Sequence, residues 1–221
     1  MSRLVLSTLA MAGIVGMLGC SAATAAVKIP DPAVDAPLAT AKGQQTMVVA
    51  GGCFWGIQAV FQHVKGVKKA TSGYSGGKAN TAHYEMVSSG QTGHAESVQV
   101  VFDPSRITYG QLLKIFFSVA HDPTQLNRQG PDTGTQYRSA IFYSDPDQQR
   151  IAQAYIDQLN QAKVFPAPIV TQLVPLTAFY SAEDYHQDYA AQHPDQPYIV
   201  INDLPKVANL RKEFPNLYVG K

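Results

Sequence analysis

Cys53 is the residue with the clearest chemical potential. It stands in the run Gly51-Gly52-Cys53-Phe54-Trp55-Gly56. Met47-Val48-Val49-Ala50 before it reads as a buried strand and the residues after it as a helix. The thiol therefore falls at a helix first turn, where unpaired backbone N–H groups and the helix dipole favour an anion. That setting lowers a thiol pKa. A free thiol is about 3% thiolate at neutral pH, whereas a shift to about 7 makes it about half, and the thiolate is the nucleophile. The alternative reading is a cysteine that merely packs as a small hydrophobe.

Glu96 is the second candidate, at the head of a strand running to Phe102. It shares strand parity with Val98, Val100 and Phe102, so it projects from the apolar face. There, desolvation raises a carboxyl pKa and keeps a proton in place at neutral pH. A solvated position at the strand end is the other reading, and the pattern leaves both open.

The Cys53 run, with Gly90-Gln91-Thr92-Gly93-His94-Ala95-Glu96, Gly134-Thr135-Gln136-Tyr137-Arg138-Ser139 and Glu183-Asp184-Tyr185-His186-Gln187-Asp188-Tyr189, resembles the A-type peptide methionine sulfoxide reductases over about Met47 to Tyr198. The resemblance implies a ferredoxin-like α+β core and reduction of the S epimer of methionine sulfoxide, free or in proteins, each epimer needing its own enzyme. It makes Tyr84 and Tyr137 donors to the sulfoxide oxygen, and Asp132 an acid that sets the site's hydrogen-bond network. Phe54 and Trp55 become the apolar wall that receives the S-methyl group. His94, His186 and Tyr189 match as well and read as structural. The chemistry is coherent, because a sulfoxide oxygen leaves only once protonated, so an attacking thiolate needs an acid and donors aimed at that oxygen.

Two other functions use the same residues. A Cys-His hydrolase or acyltransferase would need His94 or His186 to activate Cys53. A module that binds oxidised methionine without reducing it would need neither Cys53 nor Glu96. Many relatives carry further cysteines in a glycine-rich C-terminal tail that resolve the sulfenic acid. Here no cysteine follows Cys53, so an external thiol, such as a thioredoxin-like reductant, must regenerate it. The six histidines include no His-x-x-x-His or His-Glu-x-x-His spacing, and no metal or organic cofactor is expected.

The elements that position these groups follow from periodicity. Cys53 to Val64 reads as a helix with Phe54, Ile57, Phe61 and Val64 inward, Tyr109 to Val119 as a second, and Pro146 to Gln161 as a third opened by Asp145. Gln136 to Tyr143 and Ile169 to Val174 read as strands. Ser181 spaced to Asp184 predicts a last capped helix. Pro197, Pro205 and Pro215 predict a long irregular C-terminal tail. The sum is an α+β fold, a split βαβ core with helices packed on a mixed sheet.

The chain has 221 residues, 45% hydrophobic and 15% charged, the balance of a globular protein. Met1-Ser2-Arg3, the uncharged run Leu4 to Leu18 and the small residues Ala23-Thr24-Ala25-Ala26 predict a secretory signal over 1–26. An extended leader over 27–45 and a catalytic domain over 46–221 follow. Export, to a periplasm, is expected, either with the signal cleaved or with a lipid anchor on Cys20. The 17 basic residues less Arg3 equal the 16 acidic ones. A neutral monomer with no basic run argues against nucleic acid as partner.

Overall fold

The computed structural model describes residues 26–220. The expected signal segment and Cys20 lie outside the described residues, except for Ala26. Chain order gives β1 (Gln45–Ala50), α1 (Phe54–Gln62), β2 (Val67–Ser75), α2 (Tyr84–Val87), β3 (Ala95–Phe102) and α3 (Tyr109–Ile115). The short pair β4 (Arg128–Gln129) and β5 (Asp132–Thr133) follows, then β6 (Ala140–Tyr143), α4 (Pro146–Gln161), β7 (Gln172–Pro175), β8 (Phe179–Ser181), α5 (Tyr189–Gln192) and α6 (Leu204–Glu213).

The main sheet runs β7-β6-β1-β3-β2-β8. β1 is antiparallel to both β3 and β6, and β2 is antiparallel to β3. Thus β1-α1-β2 and β3-α3-β6 are two interleaved βαβ units, each with a strand of the other between its own two. This is the ferredoxin-like core. β7 extends one edge parallel to β6, and β8 the other antiparallel to β2.

Period-two alternation sorts the central strands. Met47 and Val49, with Val98, Val100 and Phe102, bury against Ile57 and Phe61 of α1, Leu112 and Leu113 of α3, and Ile151 and Tyr155 of α4. Val48, Ala50, Ala140 and Phe142 form a smaller cluster on the opposite face, under Val174, Leu176 and Phe179. Helix ends obey their caps: the Thr108 side chain accepts from Gln111 N while Gln111 returns a bond, and Asp145 accepts from Gln148 N.

The leader forms no helix or strand before β1, and it is docked. Val27 N donates to Ser118 O at 3.0 Å, Tyr155 OH to Pro30 O at 2.7 Å, and Lys114 pairs with Asp31 at 2.7 Å. Asp35 accepts from Gly110 N at 2.9 Å and from the Thr108 hydroxyl. The segment is a strap across α3 and α4.

Several expected elements differ. The helix after Tyr109 continues past α3 as a π turn, Phe116–Ala120. Gln136 opens no strand, since Thr135–Tyr137 coils as a 3-10 turn before β6. No helix begins at Ser181, because Phe179–Ser181 pairs with Gly73–Ser75 and spends its backbone groups on the sheet edge. The tail is not irregular. It forms a π turn, Ile199–Asp203, and then α6, in whose first turn Pro205 sits where its missing N–H costs nothing. Among the described residues, no helix is long and apolar enough to cross a membrane.

Candidate active site

β1 delivers the chain to Gly51 and Gly52, where it must turn sharply into α1. Gly52 has φ +97° with the Gln129 side chain against its α carbon, so a side chain would be both strained and blocked. Cys53 is thereby the N-cap of α1. Its sulfur accepts from the Trp55 backbone N–H, which favours the thiolate.

That favour is outweighed. Burial, then the charges of Glu96, Asp203 and Asp132, push the Cys53 thiol well above its ordinary value. The expectation of a lowered thiol pKa is therefore corrected: desolvation beats the helix end, and the resting sulfur carries its proton. Glu96, 3% exposed, stands opposite Tyr74 in the β2–β3 register and accepts from Phe54 N at 3.1 Å. Burial pushes its carboxyl up to about 8, Asp132 and Asp203 adding and the Phe54 bond opposing. Glu96 is thus mostly protonated at neutral pH.

A cavity of about 160 Å³ is lined by Cys53, Phe54, Trp55, Tyr84, Glu96, Asp132, Tyr137 and Tyr198. The structure brings all seven sequence-predicted site residues to one place. Tyr84 opens α2 and Tyr137 ends the 3-10 turn. Burial first, then Glu96, raises both phenols, so both remain O–H donors. Asp132, on β5, accepts from the Tyr198 hydroxyl. Burial lifts its carboxyl, while Tyr198 and Lys206 oppose that shift.

The apolar wall is Phe54, 1% exposed, and Trp55, which stacks on Tyr189 with centroids 3.8 Å apart and planes at 9°. His186 packs its ring on Phe54 at 5.1 Å and Tyr84 at 4.6 Å. His94 is bonded to Gly77 N and Lys78 O. Neither histidine lines the cavity, so the geometry does not favour the Cys-His hydrolase reading. Among the described residues, no group of three or more metal-ligating side chains is gathered. A larger hollow of about 580 Å³ beside Leu159 and Pro168 has Lys163 as its one charged lining residue and no nucleophile.

Sequence reasoning missed Tyr198, Asp203, Lys206 and Glu183. Glu183 accepts from Tyr74 OH at 2.9 Å and from Tyr84 N at 3.0 Å, which anchors the start of α2. Tyr198 and Asp203 sit in the proline-rich stretch read as irregular, where no periodicity signalled burial.

The family model described as peptide methionine sulfoxide reductase matches residues 45–217. Peptide methionine sulfoxide reductase MsrA 2 of Mesorhizobium japonicum is 62% identical over 82% of this chain and 93% of its own. The protein of the same name from Synechocystis is 54% identical over 84% and 88%. Among solved structures, reduced Mxr1 of Saccharomyces cerevisiae superimposes with TM-score 0.62 at 31% identity, over 74% of this chain and 92% of that one. Methionine sulfoxide reductase A of Corynebacterium diphtheriae gives 0.60 at 33%, over 80% and 91%.

Proposed function

The chain belongs to the peptide methionine sulfoxide reductase family, type A, and reduces methionine sulfoxide; from that premise we propose that Cys53 attacks the sulfoxide sulfur while Glu96 protonates the departing oxygen. The observation that carries this reading is the meeting in one small cavity of the lone thiol, a carboxyl that holds its proton to about pH 8, and two phenol donors.

Cys53 is the free cysteine among the described residues. The sulfoxide binds with its methyl group against Phe54 and Trp55 and its oxygen toward Glu96, Tyr84 and Tyr137. The sulfur of Cys53 bonds to the oxidised sulfur, Glu96 gives its proton to the oxygen, and the thiol hydrogen restores Glu96. The substrate's sulfur–oxygen bond and the new sulfur–sulfur bond then break as the hydroxyl passes to Cys53, so methionine leaves reduced and Cys53 is left as a sulfenic acid. An external thiol then attacks the Cys53 sulfur and expels water, giving a mixed disulfide. A second thiol of that reductant frees Cys53, and the reductant departs oxidised. A thioredoxin-like dithiol supplies both thiols, and no prosthetic group enters any step.

The substrate is the S epimer, free or within proteins, and the protein acts after export to an oxidising compartment. An assay of resolved S and R sulfoxide peptides with dithiothreitol tests the reading. Consumption of the S epimer alone, lost in Cys53→Ser, is expected; turnover by Cys53→Ser overturns it. N-terminal sequencing of the native protein tests export, which intact Met1 in the cytosol would exclude.

A further inference from the structure

The chain beyond Tyr198 brings a charged pair to the back of the helix that carries Cys53. Asp203, at the end of the π turn, is 0% exposed. Lys206 Nζ, on α6, donates to its Oδ1 at 3.1 Å, with the Lys206 side chain 12% exposed. Asp203 Oδ2 is also buried and finds no hydrogen-bond partner in the protein. A buried carboxylate with one oxygen unsatisfied is costly, so stability is a poor reason for its presence.

The pair bears on one spot of α1. A side chain built at Gly56 would meet Asp203 Oδ1 at 2.1 Å and Lys206 Nζ at 2.7 Å. Gly56 lies in the first turn of α1, three residues past the Cys53 N-cap. The missing side chain at Gly56 is what lets the pair approach.

We propose that Asp203 and Lys206 are positioning residues for the reaction, seated together on the first turn of α1 to set how readily Cys53 releases its proton. This rests on Cys53 being the nucleophile. Asp203 holds the proton on, and Lys206 moderates Asp203. The groups around the thiol are Glu96 from β3, Asp132 from β5, Tyr84 from α2, Tyr137 from the 3-10 turn, Tyr198 just before the π turn and Asp203 at its end, with His121 beneath Gly51. The Asp203 charge raises Cys53 and Glu96 together, and the Lys206 charge lowers Asp203 and Asp132. A resting thiol held protonated in this way is guarded against stray oxidants, since thiolate character governs oxidation.

The test is the pH profile of iodoacetamide alkylation, quantified at the Cys53 peptide by mass spectrometry in the full chain without substrate. Asp203→Asn removes the negative charge and leaves Lys206, so the profile moves to lower pH and alkylation at pH 7 rises several-fold. Lys206→Met moves it to higher pH, the double variant falls between, and Lys206→Arg restores the wild-type curve. Unmoved profiles, or both single variants moving the same way, would reduce the pair to packing and overturn the proposal. Should Lys206→Met not fold by circular dichroism, Asp203→Asn against Lys206→Arg decides, an unshifted Asp203→Asn curve being fatal. Failure of the reductase mechanism is read separately, as sulfoxide turnover in Cys53→Ser.

Discussion

The backbone N–H of Phe54 donates to Glu96 Oε2 across 3.1 Å, so the acid is bonded to the residue directly after the nucleophile. Proton donor and attacking sulfur are thus both tied to the start of α1. Because Glu96 holds its proton to about pH 8, turnover with saturating reductant should fall as pH rises through that value. Glu96→Gln keeps an Oε to accept from Phe54 but has no proton to give. Its kcat should drop about 10²-fold or more, with substrate affinity retained. Activity within about twofold of wild type would remove Glu96 from the acid role.

The same carboxyl shapes stability. Its folded pKa, about 8, lies above the ordinary 4.5. Between those values the folded state binds more protons than the unfolded one. By linkage, this contribution is full below the lower value and is lost as pH climbs to the upper, a change on the order of a few kcal/mol. Thermal melts at pH 5 and pH 9 should show Glu96→Gln losing less stability with rising pH than wild type. Parallel curves would mean the carboxyl is ionised in the folded protein at neutral pH.

Cys53→Ser should be inactive yet folded. The site is 8% exposed and a hydroxyl nearly fills the volume, so the change in unfolding free energy should stay within about 1 kcal/mol. Urea denaturation with a sulfoxide assay separates the two effects.

With substrate and no reductant, each chain should release about one methionine and stop, because regeneration needs an incoming thiol. Intact mass should show one added oxygen on Cys53, trapped by a sulfenic acid reagent. A dominant disulfide-linked dimer through Cys53 would instead mean that a second subunit supplies the resolving sulfur.

Trp55→Ala should weaken substrate more than it slows chemistry. Its ring is held at 3.8 Å on Tyr189 and edge-on to Tyr198 at 6.0 Å, a prearranged apolar surface. A roughly tenfold rise in KM, about 1.4 kcal/mol, is expected, whereas a larger fall in kcat than rise in KM would place Trp55 in the chemical step.

The core was legible where a local pattern and tertiary packing agree. Val98, Val100 and Phe102 alternate inward as their parity demands, and Phe54, Ile57 and Phe61 line one helix face. α4 begins at Pro146 behind its Asp145 cap. What escaped depends on partners distant in the chain. Ser181 and Asp184 have capping spacing, but β2 recruits Ser181 to the sheet. Pro205 punctuates the tail, yet it falls in a first turn and permits α6. The thiol sits at a helix start, but carboxyls from β3, β5 and the π turn converge on it, and that crowding has no signature in its own segment.

Gly56 ties the order of substitutions at three positions together. With Asp203 and Lys206 in place, even a methyl group at 56 meets a buried carboxylate, so Gly56→Ala should be rejected in this background. If Asp203 first becomes a smaller residue, the same change turns permissible, and once made it bars Asp203 from returning. The effects are non-additive in the way expected of neighbours, and a lineage that crosses this step loses the way back. Libraries that vary the first turn of α1 alone will therefore record position 56 as immutable, whereas libraries that vary positions 56, 203 and 206 together will find it free.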